Sequence, residues 1–184
     1  MRCSALLLIA ATACGGSNDF GVLEDEDNTP DTDDPCLQEA MTLELGTGEF
    51  QFKPLVSGGR VEVIHGTQDG HHILGSVRIQ NITDVAMIRY TITTSATGRR
   101  ISDQTYRIRL SEHEGGGDCA WQAIGLYGYL GRIDPGTAAF LLARNVMEMT
   151  VTNVAGESAS VSLEVFPFVE AIEHGDDTGT PTAG

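Results

Sequence analysis

The residues best suited to chemistry lie in the run Val61-Glu-Val-Ile-His65-Gly-Thr-Gln-Asp-Gly-His71-His72-Ile73. A turn over 66–70 folds this run into a hairpin in which His65 and His71 stand opposite one another, on the face that also carries Val61, Val63 and Ile73. Directly opposed residues place their β-carbons about 4.5–5.5 Å apart. Two imidazoles that close can share a Zn or Cu ion when further donors join them, and Gln68, Asp69 and the distant His113 are the candidates. The same pair can instead cap the end of a core and hydrogen-bond the loop backbone. A separate histidine stands in Glu112-His113-Glu114-Gly-Gly-Gly-Asp118, where acids beside an imidazole could tune a general base for a hydrolase. Three consecutive glycines there suit a mobile loop better than a preorganised site. No Gly-x-Ser-x-Gly elbow, His-Glu-x-x-His helix, phosphate loop or dinucleotide fingerprint occurs, so the expectation is a protein that is not an enzyme.

Binding chemistry has two further carriers. Arg78, Arg89, Arg107 and Arg109 all fall at polar positions of strand-like segments, with Arg99 and Arg100 between them. Neighbouring strands would gather them into a basic stripe for an acidic partner or for the chain's own acidic linker; an ordinary solvated sheet face has the same composition. Trp121, Tyr127 and Tyr129 share one strand parity, which suits a stacking platform for sugars or packing within a core or interface. The Asp-rich run from Asp25 offers calcium-like spacings, but it has Pro30 where an EF-hand loop needs Gly and Cys36 where it needs Glu.

The elements that must position these residues are strands. Short runs rich in Val, Ile, Thr, Tyr and Phe, separated by Gly, Asp or Pro, occupy 41–45, 49–53, 60–65, 71–81, 85–94, 105–110, 119–130, 145–154 and 158–168. The nearest competitor of helical character is 136–144, where Asp134-Pro135-Gly136 also suits a turn. Seven to nine strands at regular spacing predict an antiparallel β-sandwich, with a closed β-barrel as the alternative. The run from Met149 to Val165, two alternating segments about Asn153-Val-Ala-Gly156, resembles the last hairpin of bacterial immunoglobulin-like domains. That resemblance covers about 20 residues and implies an immunoglobulin-like sandwich.

The net charge of −15 is concentrated at the two ends. Nine acids and no Lys or Arg fall between Asp19 and Glu39, and the tail adds Glu170, Glu173, Asp176 and Asp177. Between Ala40 and Val169 thirteen acids face ten bases, so the central part is close to neutral. Acidic ends of low hydrophobicity read as solvated segments and argue against nucleic acid as a partner.

Arg2, the apolar run Ala5 to Ala11, and the small residues Ala11-Thr12-Ala13 before Cys14 resemble the leader and lipobox of bacterial lipoproteins, with Ala11 where that family usually has Leu. The resemblance implies cleavage before Cys14, lipid on Cys14 and a location outside the cytoplasm. Gly15 rather than Asp after the lipidated residue implies export to the outer membrane by the rule of enteric lipoproteins. The apolar run is about ten residues, against roughly 20 for a membrane span. With Cys3 in the leader and Cys14 committed to lipid, Cys36 and Cys119 remain as an even pair in an oxidising compartment. A disulfide is expected, two free thiols or a metal pair being the alternatives.

The chain is thus expected to comprise a signal peptide over 1–13, a lipidated cysteine and acidic linker over 14–35, a β-sandwich over 36–169 and an acidic tail over 170–184. The expected role is binding or assembly at a bacterial envelope, with an envelope protein or a glycan as partner. The alternative is a copper- or zinc-binding lipoprotein centred on His65 and His71. Nothing in the sequence fixes the oligomeric state.

Overall fold

A computed structural model describes residues 34–66, 70–131 and 143–169. The strands are β1 (Thr42–Thr47), β2 (Lys53–Pro54), β3 (Gly59–His65), β4 (His71–Gln80), β5 (Val85–Thr94), β6 (Arg100–Arg109), β7 (Ser111–Glu112), β8 (Ala120–Gly131), β9 (Asn145–Thr152) and β10 (Ser158–Phe168). A short 3-10 turn over Pro35–Leu37 precedes them, started by the Asp34 carboxylate, which accepts from the Cys36 N–H at 2.8 Å. No helix among the described residues is long and apolar enough to cross a membrane. The fold is all-β, as the alternation predicts.

The strands form one curled sheet in the order β2-β1-β4-β3-β10-β9-β5-β6, with β8 on β4 and β7 on β8. The curl comes from β3, which serves two neighbours in succession. Gly59 to Glu62 pair with Val165 to Phe168 of β10, and Val63 to His65 then pair with His71 to Ile73 of β4. One strand thereby joins two layers: β4 with β1, β8 and β7, and β10 with β9, β5 and β6. All pairings are antiparallel except β3 with β10, which is parallel. The parallel pair departs from the wholly antiparallel sheet expected.

The inward faces alternate as strand geometry requires. Ile88, Tyr90 and Ile92 of β5 and Met147, Met149 and Val151 of β9 meet Ile73, Val77 and Ile79 of β4, and all are buried. Two glycines set how closely the layers approach. A β-carbon on Gly75 would lie 2.3 Å from Met149 Cε and 2.8 Å from Tyr90 Cζ, and one on Gly128 would lie 2.6 Å from Ile92 Cδ1. Tyr90 fills the space they leave, and its hydroxyl donates to the Ile73 carbonyl of the opposite layer at 3.4 Å. Burial raises the Tyr90 phenol well above its ordinary pKa, so it remains a neutral donor.

Two segments differ from the sequence reading. Residues 49–53 were expected as a strand; instead the chain turns there, and only Lys53–Pro54 pair with β1. β6 begins five residues earlier than expected, at Arg100, because pairing with β5 extends to Thr93. The helix-like segment 136–144 lies largely outside the described residues, as do Cys14, the linker up to residue 33 and the tail from residue 170.

Cys36 and Cys119 are bridged, with α-carbons 5.2 Å apart and a sequence separation of 83. The bond ties the 3-10 turn to the start of β8. Closing a loop of that length removes unfolded-state entropy worth roughly 4–5 kcal/mol in the chain-entropy model. Urea unfolding of the Cys36→Ala/Cys119→Ala variant is expected to give a free energy about 2–5 kcal/mol below that of the oxidised protein, with reductant lowering the wild type by a similar amount.

Candidate functional site

The β3–β4 hairpin brings His65 and His71 together in the register expected of it. The two residues are direct cross-strand partners, and their ring centres lie 4.7 Å apart with planes tilted by 44°. His65 is exposed and His71 half-buried. The Nδ1 of His71 is buried without a hydrogen-bond partner. Gln68 and Asp69 lie outside the described residues, and among the described residues no group of three His, Cys, Asp or Glu side chains is placed to hold a metal.

The next residue, His72, points to the opposite face and joins a cluster that the sequence reading only half assembled. Its ring lies 4.7 Å from that of Tyr127 and 6.4 Å from that of Tyr129, while the two tyrosines stack at 5.7 Å with planes 14° apart. The tyrosines are 39% and 54% exposed. Burial pushes the His72 imidazole below its ordinary pKa, the Glu49 carboxylate opposes that shift and His71 adds to it. The result is an aromatic surface on the outside of the β4/β8 layer.

Trp121, expected beside these tyrosines, faces the other way. The β4–β8 register runs Leu74↔Tyr127 and Gly75↔Leu126 and then Val77↔Ala123, so β8 carries one extra residue at Ile124-Gly125. That bulge reverses the side-chain parity. Trp121 consequently lies opposite Ile79 and packs on the core, while Tyr127 and Tyr129 face outward. Gly125 makes the bulge possible, with a φ of +73° and the Glu49 carbonyl 2.9 Å from where its β-carbon would stand. The turn containing Glu49 can therefore lie against the bulge. Ser76 fixes it there, its hydroxyl donating to the Gly48 carbonyl and accepting from the Gly125 N–H, each at 3.3 Å.

The four arginines do not form a single stripe. Arg89, Arg107 and Arg109 share the outer face of the β5/β6 layer, whereas Arg78 is on the outside of β4. Each of the strongest contacts is internal. Arg89 grips Asp103 with two hydrogen bonds of 2.9 and 2.7 Å, and Arg100 reaches the same carboxylate at 2.8 Å. Arg109 lies 3.3 Å from Asp84. Arg78 lies 3.8 Å from Glu44, with its guanidinium 4.2 Å above the Phe52 ring. Beside the Arg89–Asp103 pair runs a shallow trough of about 550 Å³, lined by Met87, Thr105, Thr150 and Thr152.

His113 lies in a turn at the other end of β8, in a hollow of about 320 Å³ with Glu112, Glu114, Asp118 and Trp121. Its Nδ1 is buried without a hydrogen-bond partner, so no carboxylate holds the ring through that nitrogen.

No family model and no curated protein matches this chain. Among solved structures, the CooA pilin subunit from enterotoxigenic Escherichia coli is similar with a TM-score of 0.30 and 9% identity, over 70% of this chain and 99% of that one. The crystal structure of SefD_dscA is similar with a TM-score of 0.29 and 12% identity, over 69% of this chain and 96% of that one. Likeness of that degree assigns this chain neither a family nor a function.

The Arg89–Asp103–Arg100 group gives the outer face a measurable titration. Hydrogen bonds from Arg89, opposed by desolvation and then joined by the charge of Arg89 and by the hydrogen bond and charge of Arg100, hold the Asp103 carboxyl at about 2 against an ordinary 3.8. A depressed carboxyl pKa stabilises the fold above the unfolded value and ceases to do so as pH falls through the folded one. The contribution is thus present at pH 4 and above and disappears toward about 2. Carboxyl carbon NMR of Arg89→Ala is expected to show Asp103 titrating closer to 3.8.

Proposed function

We propose that this chain is a non-enzymatic binding module, held at a bacterial envelope by lipid on Cys14, which meets an envelope glycan or protein through the outer face around His72, Tyr127 and Tyr129. The observation that carries the reading is the pair of stacked, solvent-exposed tyrosines on a sheet face, with His72 against them. Exposed aromatic rings present flat apolar area with a polar edge and little rotamer freedom, which suits both sugar faces and protein partners. The Cys36–Cys119 bridge supports an oxidising compartment, in agreement with the lipobox-like leader. Tethering also suits the placement of the face: Cys119 immediately precedes β8, and Tyr129 lies roughly 30 Å further along that strand. The aromatic surface then stands at the end remote from the tethered one.

Two measurements test this. In a bacterial host the wild type is expected in the membrane fraction with a lipidated N-terminal cysteine by mass spectrometry, and Cys14→Ala is expected to be unlipidated and soluble. A full-length protein with Tyr127→Ala and Tyr129→Ala should keep its anchor and its fold but bind isolated envelope material at least about tenfold more weakly, equivalent to about 1.4 kcal/mol. Binding that is unchanged in the double variant, whether to glycan or to envelope protein, removes the aromatic face from the reading.

A further inference from the structure

We propose that His65 and His71 form a two-imidazole site, open to solvent, for a divalent copper ion, with zinc as the weaker ligand. This site is separate from the aromatic face, lying on the opposite side of the β3–β4 hairpin.

The first support is distance. A coordinating ring nitrogen lies about 2.0–2.1 Å from such a metal and the ring centre about 1.1 Å beyond it. Two rings on one ion therefore have centres about 4.5 Å apart at a right angle and about 5.1 Å apart at the tetrahedral angle. The observed separation is 4.7 Å, between the two. A pair across the ion would need about 6 Å. The fit is to adjacent coordination positions, as in tetragonal Cu(II) or tetrahedral Zn(II).

The second support is the state of the donors. His71 Nδ1 is buried without a hydrogen-bond partner, a condition that native proteins mostly avoid and that a ligand relieves. His65 is exposed at the last position of β3 and His71 is half-buried beside it, so the pair lies at the surface end of the hairpin. The register holds the two side chains opposite one another, which reduces the ordering needed on binding.

The third consideration defines the kind of site. Among the described residues no third His, Cys, Asp or Glu completes a group with the pair. Structural zinc sites are closed by four protein ligands, whereas sites that exchange or react keep positions for water. Two imidazoles alone make an open site, and at equal donors copper(II) exceeds zinc(II) in affinity.

The test uses the full-length chain in detergent, titrated with Cu(II) and followed by electron paramagnetic resonance. The expected result is one ion per chain with hyperfine splitting from two nitrogens. His65→Gln and His71→Gln should each weaken binding at least about tenfold, while His113→Ala and His174→Ala leave it intact. Far-UV circular dichroism checks the fold of each variant. Zn(II) titration of the unaltered protein, read by imidazole NMR, should shift His65 and His71 and leave His113 in place, a readout independent of any variant. Copper binding that persists in the His65→Gln/His71→Gln protein, or zinc that moves neither resonance, overturns the proposal.

Discussion

Two sheets can pack only as closely as the side chains between them allow, and here Tyr90 sets that distance. Its ring is wholly buried and reaches across the core to the β4 backbone, where Gly75 and, on the neighbouring β8, Gly128 leave room for it. An alanine at either glycine would overlap side chains whose own neighbours are fixed, an overpacking that costs about 1–3 kcal/mol. The apposition of β4 and β8 to β5 and β9 depends on this fit, and both surface features depend on it in turn. The histidine pair sits at one end of β4, and the tyrosines lie on the outward side of β8.

The parts of this arrangement that were legible in the sequence are those with local causes. Residues 85–94 and 158–168 alternate cleanly, and both are strands over those spans. The His65–His71 pairing was legible because a five-residue turn leaves the register little freedom. The parallel pairing of β3 with β10 had no local signature, since about a hundred residues separate the partners. The start of β6 was obscured for a different reason. Arg100, Asp103 and Gln104 have weak strand preference, and pairing with β5 together with the Asp103 ion pairs holds them there.

The aromatic face shows most clearly where sequence parity fails. Trp121 and Tyr127 are six residues apart and should share a side of a regular strand, yet the extra residue at Ile124-Gly125 sends them to opposite sides. A glycine inside an apolar strand was the available sign of that bulge. The odd spacing of the inward residues Ala123 and Leu126 was another. The polar parity of His72 sets it across the strand from His71, but its contact with Tyr127 and Tyr129 depends on the β4–β8 register, which has no local signature. The charged outer faces are a further instance, because Arg78 and Arg89 have equivalent positions in their own strands but belong to different layers.

The covalent link between Cys36 and Cys119 also gives the molecule a mechanical path. Tension applied at the N-terminal side and resisted at the tyrosines passes through the disulfide directly into β8. The intervening residues 37–118 are bypassed as a continuous load-bearing chain, although their pairing with β8 still supports it. Both ends of that path lie on β8, so the load runs along its covalent backbone, and the pairing with β4 from Ala120 to Gly131 keeps the strand extended without having to bear it. Oxidation of two thiols thereby makes one strand the tendon of the domain.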